Sequence, residues 1–182
     1  MSLFCLHIGG FTLVKNRIFS QLPRVGKQWY LSFDVKPTGT IRSSSNIVHA
    51  TIGKDSERFG DRIPAVWFRP GRTELSICSA VNDQKNYCWT SRALPLNKFT
   101  NVRIRQVWNP TLHVYEFIVE LNDVVVHKVV NNGAESFDNV LLYASNPWNV
   151  PANAVVRHLV FQNLPNGKLL NLNFLSNKIR FL

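Results

Sequence analysis

The chain has 182 residues, 45% of them hydrophobic, and a formal net charge of +10. This length fits one domain, and the apolar content supports a packed core and excludes general disorder. No run approaches the ~20 apolar residues of a membrane-spanning helix. The apolar stretch at residues 3–6 lacks the basic residues and the cleavage pattern of a clear signal peptide.

The charge is concentrated at the two ends of the chain. Residues 1–33 and residues 139–182 each contain four basic residues and no acid, so eight of the ten excess charges lie there. If the terminal strands lie side by side, one surface is cationic and favours a polyanion such as a sulfated glycan, an acidic matrix protein or a mineral surface. The alternative is that these charges only keep the protein soluble. Nucleic-acid binding would rest on charge alone, without a recognised motif, and is not predicted.

The first half of the chain consists of strand-like runs between turn residues. These runs are 11–22, 28–37, 46–53, 62–68, 73–80 and a run around Cys88. The first of them comprises one or two strands, and Pro23 and Gly26 are expected to end it. Alternation is clearest in the second run, where every second residue from Trp29 is apolar.

Residues 101–130 form the centre of the predicted sheet. Within them, apolar residues alternate with two glutamates: Tyr115, Phe117, Val119 and Leu121 face one side, and Glu116 and Glu120 the other. This period of two predicts a strand with one buried and one solvated face. Asn122 and Asp123 tolerate tight backbone conformations and predict a hairpin turn of two or three residues. The centre is therefore an antiparallel meander.

The second half continues the pattern. Strand-like runs occur at 136–144 and 154–162, and the segment 169–182 alternates again at Leu170, Leu172 and Phe174. No window shows sustained helical periodicity, and no internal repeat or linker is present. About a dozen strands with short connections predict an all-β sandwich.

Cys78 and Cys88 flank a turn-like segment between two strand-like runs. A tight hairpin would place them opposite each other, within reach of a disulfide bond. Two buried thiols are the alternative. Cys5 is then unpaired, and in an extracellular protein it would be free or would join two chains.

Several runs together suggest a family. They are Trp29-Tyr-Leu-Ser-Phe-Asp-Val-Lys-Pro, Asn46-Ile-Val-His-Ala-Thr, Arg62-Ile-Pro-Ala-Val-Trp-Phe, Val102-Arg-Ile-Arg-Gln, residues 115–121, Phe137-Asp-Asn-Val-Leu-Leu-Tyr-Ala, Pro147-Trp148 and Val156-Arg-His-Leu. Their order resembles a laminin G-like domain of the concanavalin A-like lectin/glucanase superfamily, over about residues 22–163.

The resemblance implies a concanavalin A-like jelly-roll sandwich of two antiparallel sheets. The whole chain, 1–182, would be one domain, with 164–182 as an additional C-terminal strand segment. It also implies that the first and last strands meet, and that the protein is an extracellular, secreted, non-catalytic module for binding, adhesion or matrix structure. A carbohydrate-binding lectin is the main alternative.

A glycoside hydrolase is the less favoured alternative. Hydrolases that resemble this fold carry Glu-x-Asp-x-x-Glu on one strand, and this chain lacks that motif. The nearest candidates, Glu116 and Glu120, would be ~13 Å apart along a strand. A retaining mechanism needs a separation of about 5–5.5 Å, so we predict that the protein is not an enzyme.

Six residues are candidates for ligand binding: Arg58, Arg62, Trp67, Arg69, Arg72 and Trp148. Arginine grips carboxylate or sulfate with two parallel hydrogen bonds, and tryptophan stacks on a sugar ring. Trp148 lies in a loop between two prolines, where exposure is expected. Alternatively, Asp55, Glu57 and Asp61 neutralise the neighbouring arginines and Trp67 belongs to the core.

No cofactor or metal site is predicted. The five histidines lack the spacing of metal ligands. Some laminin G-like domains bind calcium through loop oxygens, but the acids of this chain form no obvious calcium loop, so calcium remains unsupported.

The terminal segments suggest a further role in assembly. An apolar strand at a sheet edge can pair with another chain. Residues 165–182 or Cys5 would then join subunits into a homo-oligomer, a matrix or a filament. Alternatively, the tail caps its own sandwich.

Overall fold

The computed structural model describes residues 4–7 and 9–164, and this part of the chain is all-β, without a helix. Its strands are β1 (Phe4–His7), β2 (Phe11–Thr12), β3 (Ile18–Val25), β4 (Trp29–Pro37), β5 (Ser45–Thr51), β6 (Ala65–Phe68), β7 (Glu74–Val81), β8 (Gln84–Ala93), β9 (Thr100–Asn109), β10 (Val114–Leu121), β11 (Val124–Asn131), β12 (Phe137–Tyr143), β13 (Val150–Pro151) and β14 (Ala154–Asn163).

The strands form two seven-stranded sheets that pack face to face as a jelly-roll sandwich. Sheet A has the order β1-β14-β4-β9-β10-β11, with β2 also beside β14. Sheet B has the order β3-β12-β5-β6-β7-β8, with the short β13 parallel to β5. All other pairs are antiparallel. The first and last described strands, β1 and β14, pair directly, and Phe4 lies opposite Gln162. The predicted all-β sandwich of two antiparallel sheets is confirmed.

The core lies between the sheets and consists of the inward residues of each strand. Trp29 of β4 stacks on Phe161 at 6.0 Å between ring centroids and meets Phe117 edge-on at 6.3 Å. Val66 and Phe68 supply the inward face of β6 from the opposite sheet. Burial of such side chains is the main favourable term in folding, at about 1.5–3 kcal/mol for each large apolar residue.

The central meander forms as predicted, from β9, β10 and β11. Phe117 and Val119 are fully buried. Asn122 and Asp123 form a two-residue connection, and both have positive φ values, 50° and 64°. Two central residues with positive φ are typical of a type I′ turn, whose twist matches that of the flanking strands.

The prediction of a solvated glutamate face is wrong. Glu116 and Glu120 are both buried on the outer face of sheet A. Glu120 accepts hydrogen bonds from Arg103 at 2.7 Å and Arg105 at 2.9 Å, and Glu116 accepts one from Lys128 at 3.1 Å. Neighbouring strands supply these long cations, so the carboxylates are covered by their own partners rather than by water.

The predicted chain break at Pro23 is also wrong, because β3 runs through this residue to Val25. The physical reason is the position of β3 at the edge of sheet B. Proline lacks the N–H that a central strand needs, but an edge strand has one side without a partner.

The terminal cations do not form the purely basic surface that the sequence suggested. Arg24 forms an ion pair with Asp138 at 2.8 Å, and Arg157 with Asp34 at 3.0 Å. Three of the eight cations, together with the proposed pairing segment 165–182, lie outside the described residues. The side chain of Cys5 also lies outside them, so subunit pairing through these parts stays a prediction.

Candidate functional site

The candidate ligand residues centre on the outer face of sheet B. Val66 and Phe68 of β6 point into the core, so Trp67 between them points outward. Trp67 lies opposite Ser76 of β7 and forms a small apolar cluster with Ala65 and Cys78, separate from the main core. The outer face therefore has its own aromatic centre.

Arg62 covers one face of this tryptophan. Its guanidinium carbon lies 4.5 Å from the centre of the Trp67 ring, which is a cation–π geometry. Arg62 Nε donates to the backbone oxygen of Asp55 at 3.0 Å, and Nη2 reaches the Asp55 carboxylate at 3.3 Å. Nη1 donates to the side chain of Asn86. Within the part of the chain that the structure describes, three of the five guanidinium N–H groups are thus used and two have no hydrogen-bond partner.

Asn149, from the loop before β13, lies at the Nε1 edge of the same indole ring. Trp67 Nε1 can only donate, so Asn149 Oδ1 accepts its hydrogen bond at 2.9 Å. The same oxygen accepts a hydrogen bond from Asn146 Nδ2 at 3.0 Å. Asn146 Nδ2 also donates to Nδ1 of His49 at 2.8 Å. A single chain of hydrogen bonds therefore links Trp67 to His49.

These hydrogen bonds determine which ring nitrogen of His49 carries the proton. Because Nδ1 accepts from Asn146, the ring proton is on Nε2, which donates to the backbone oxygen of Asp61 at 2.6 Å. The imidazole is fully buried between the rings of Trp67 and Trp148, each 5.5 Å away. Burial lowers the pKa of His49 to about 4, so the ring is neutral at physiological pH. His49 positions the two tryptophans rather than supplying charge.

A cavity of about 220 Å³ opens on this face. It is lined by Ser44, Arg62, Trp67, Ser76, Cys78, Cys88 and Asn149. Hydroxyl, amide and guanidinium groups thus converge over an aromatic ring, which is the composition of a site for a polar ligand with a ring. Cys78 and Cys88 are joined by a disulfide bond, which holds β7 and β8 together at the wall of the cavity.

The six predicted ligand residues do not all meet there. Arg62 and Trp67 line the cavity. Arg69 and Arg72 each form an ion pair with Glu74, at 3.1 Å. Glu74 lies two residues before Ser76 on β7. Arg58 is highly exposed, and its Nε lies 3.9 Å from Asp61 in the loop before β6.

Trp148 is 39% exposed, whereas Trp67 is 5% exposed. The edge of Tyr143 meets the Trp148 ring at 6.1 Å. The alternative interpretation, in which acidic residues neutralise the arginines and Trp67 is buried, is thus partly correct, because Asp55 pairs with Arg62 and most of Trp67 is covered. Glu57 pairs with Lys54 instead of an arginine, at 3.9 Å.

Sequence reasoning missed the polar residues around Trp67, namely Ser44 and Ser76, which line the cavity, and Asn146 and Asn149 of the hydrogen-bond chain. Asn149 is 82 positions from Trp67 along the chain. No local pattern links such residues, because the loop before β13 reaches Trp67 through its backbone contacts with β5, which pairs with β6.

The described residues contain no group of three His, Cys, Asp or Glu side chains that could hold a metal ion. Asp61 is fully buried, and its Oδ2 accepts a hydrogen bond from the Arg58 backbone at 2.8 Å. Its Oδ1 has no hydrogen-bond partner among the described residues. In the same part of the chain, no helix is long and apolar enough to cross a membrane.

Comparisons with solved structures support the observed fold. No family model matches the sequence, and a search of curated proteins finds no relative. Among solved structures, a native heptameric SAP-like pentraxin from Limulus polyphemus is 14% identical, with a TM-score of 0.54 over 87% of this chain and 75% of the pentraxin. The receptor-binding domain of botulinum neurotoxin D is 10% identical, with a TM-score of 0.57 over 97% of this chain and 48% of the toxin chain.

The binding domain of botulinum neurotoxin DC in complex with SialylT is also 10% identical, with a TM-score of 0.55 over 98% of this chain and 46% of the toxin chain. The chain thus spans three quarters of the pentraxin but slightly less than half of each toxin chain. At these identities the likeness shows the fold alone: a jelly-roll sandwich of the concanavalin A-like type. The narrower resemblance to laminin G-like domains stays a prediction.

Proposed function

We propose that this protein is a non-catalytic glycan-binding module whose ligand carries a carboxylate or sulfate group. The site is the cavity on the outer face of sheet B. The observation that supports it most directly is the Arg62 guanidinium, whose carbon lies 4.5 Å from the centre of the Trp67 ring and which is held there by Asp55 and Asn86. An arginine fixed in this way loses little conformational entropy when a ligand binds.

The two free N–H groups of Arg62 supply the charged contact. Ser44, Ser76 and Asn149 surround them with donors and acceptors suited to sugar hydroxyls. Asp55 neutralises part of the arginine charge. The site therefore favours a ligand that combines one anionic group with several hydroxyls over a bare anion.

The surroundings of the cavity suit more than one sugar unit. Glu74 lies two residues from Ser76 on the same face of β7, a distance of about 7 Å. The exposed Arg69 and Arg72 beside it provide a second cationic position. On the opposite side, Trp148 offers an exposed ring for stacking. An oligosaccharide that spans these positions is the proposed ligand.

One of the comparisons with solved structures supports this proposal. One similar structure is a toxin binding domain in complex with SialylT, and a sialyl group is an anionic sugar. The disulfide bond between Cys78 and Cys88 supports a secreted, extracellular location, because disulfides persist in oxidising compartments.

Glycan titration tests the proposal. A sialylated, a sulfated and a neutral oligosaccharide of equal length are titrated against the full chain at low and high salt. Binding of the anionic sugars that weakens with salt and is reduced by Trp148→Ala supports the proposal. Equal binding of the neutral sugar at both salt concentrations would favour an ordinary lectin. No binding of any sugar would contradict the proposal.

A further inference from the structure

Exposed apolar side chains are concentrated at one end of the sandwich. Its loops are 13–17, 38–44, 69–73, 94–99, 122–123 and 144–153. Backbone hydrogen bonds connect several of them: Gly71 donates to Ile41, and Asn97 donates to Pro37 at 2.8 Å. We call these loops and the strand ends next to them the basic end.

Large apolar residues protrude from several parts of the basic end. They are 39–62% exposed: Val14, Leu96, Val124, Val125, Trp148 and Val150. Val124 and Val125 begin β11 directly after the Asn122–Asp123 turn. Single exposed apolar residues are ordinary on a protein surface. A concentration of them on the tips of several loops at one end marks an interaction surface.

The same end carries the cationic excess of the described chain. Its loops contain six basic residues and one acid, Asp123, and Lys15, Arg42 and Lys98 form no ion pair with any described residue. Asp123 and the adjoining Glu74, the first residue of β7, are each engaged by arginine. At the opposite end, loops 26–28, 52–64, 82–83, 110–113 and 132–136 hold four basic and five acidic residues. The two ends of the sandwich therefore differ in charge.

We propose that the basic end docks on a membrane surface that contains anionic lipids. Aliphatic loop tips enter the boundary between headgroups and acyl chains, where tryptophan is also favoured. Lysine and arginine around them are attracted to the negative surface potential. A soluble polyanion would match the charges but would leave the aliphatic tips in water. This inference does not rest on the glycan proposal, although the basic end includes Arg69, Arg72 and Trp148, which also lie beside the glycan cavity.

The choice of an anionic lipid surface rests on charge complementarity combined with the separate positions of the exposed apolar residues. They come from several loops and from the starts of β11 and β13, so together they present separate apolar points rather than one groove. A protein partner would need a matching set of pockets, whereas a lipid boundary accepts tips at any spacing. Docking is peripheral, because the exposed apolar residues reach only the boundary between headgroups and acyl chains.

Vesicle sedimentation with the full chain tests the inference. The vesicles contain phosphatidylcholine alone, or phosphatidylcholine mixed equally with phosphatidylserine. We expect the protein to sediment with the mixed vesicles and to bind the neutral ones weakly. The triple variant Val14→Ser/Leu96→Ser/Val124→Ser should lose binding by about tenfold or more. The charge variant Lys15→Glu/Arg42→Glu/Lys98→Glu should lose at least as much.

The matched control is Leu112→Ser/Val130→Ser. These two residues are also exposed but lie away from the basic end, so binding should not change. None of the substituted residues lines the glycan cavity, and a folded apolar variant therefore keeps any glycan binding.

Three outcomes overturn the inference. The first is a wild-type chain that does not sediment with mixed vesicles. The second is an apolar variant that binds like wild type while heparin displaces both, since that identifies a surface for soluble polyanions. The third is an apolar variant whose mass in solution changes while its vesicle binding does not, since that identifies an interface between copies of the chain.

Discussion

Asn149 accepts a hydrogen bond from the indole N–H of Trp67 at 2.9 Å and thereby joins the loop before β13 to the outer face of sheet B. Through Asn146 the same oxygen is connected to His49. The indole is nearly fully buried. The position of the indole at the cavity wall therefore depends on one amide oxygen from a loop that is distant in sequence.

Asn149→Ala should destabilise the protein by about 1–3 kcal/mol, because the buried Trp67 N–H loses its acceptor. Urea unfolding measures the change. Asn153→Ala is the matched control, since Asn153 is exposed and has no side-chain hydrogen bond among the described residues; its effect should be small. In the Trp67→Phe background the N–H is absent, so Asn149→Ala should cost less there. An equal cost in both backgrounds would contradict the assigned role of Asn149.

Protonation of His49 should make the protein less stable in acid. Its pKa is about 4 in the folded state and about 6.5 in the unfolded chain. Between these values the unfolded chain binds more protons, so the free energy of unfolding falls as the pH falls from about 6.5 to about 4. The loss is on the order of 3 kcal/mol. His49 provides its full contribution above pH 6.5.

NMR titration of the His49 ring carbons measures this directly, and a midpoint near 6.5 would contradict the account. His49→Gln removes the titrating group. Its unfolding free energy should therefore depend less steeply on pH in the same window, whatever its stability at pH 7.

Glu120→Gln should destabilise the protein by about 2 kcal/mol. The carboxylate is buried between Arg103 and Arg105, and its loss leaves the poorly solvated Arg105 without this counterion and Arg103 with the exposed Asp123. Glu57→Gln is the comparison, because Glu57 is 71% exposed and its pair with Lys54 spans 3.9 Å; its effect should be under about 0.5 kcal/mol. Chemical denaturation of both variants decides, and equal effects would contradict the described burial of Glu120.

Removal of the disulfide by Cys78→Ala/Cys88→Ala should lower stability by about 2–3 kcal/mol. The bond spans 10 positions of sequence, and the loop it closes restricts the unfolded chain. Thermal unfolding of the double variant, compared with the oxidised and reduced wild type, measures the effect. The reduced wild type should resemble the variant. Unchanged stability after reduction would show that this bond adds nothing.

The fold could be predicted from the sequence to the extent that it depends on local alternation. Residues 115–121 alternate, and the structure buries Phe117 and Val119 as expected. Asn122 and Asp123 signal the turn because both residues tolerate positive φ. The failure at Pro23 has a non-local cause. Whether a proline breaks a strand depends on whether the strand lies at an edge, and the sequence around Pro23 does not carry that information.

The candidate site was only partly predictable for the same reason. Arg62 and Trp67 are five positions apart, and their contact follows from a short loop entering β6. The prediction that Glu120 is solvated was wrong because its arginine partners come from a neighbouring strand, β9. The sequence around Asn149 does not indicate its role, since that role depends on a contact with Trp67, 82 positions away. Charges show the same limit, because Arg24 is matched by Asp138, 114 positions away.

The central claim is that Arg62 selects an anionic sugar at the cavity over Trp67. Calorimetric titration of a sialylated oligosaccharide and its desialylated counterpart into wild type and Arg62→Gln tests it most directly. Arg24→Gln serves as the control, because Arg24 is an exposed arginine on the edge strand β3, away from the cavity. We predict that wild type and the control prefer the sialylated sugar by about tenfold or more, and that Arg62→Gln loses this preference while remaining folded. An unchanged preference in Arg62→Gln, or none in wild type, would contradict the account.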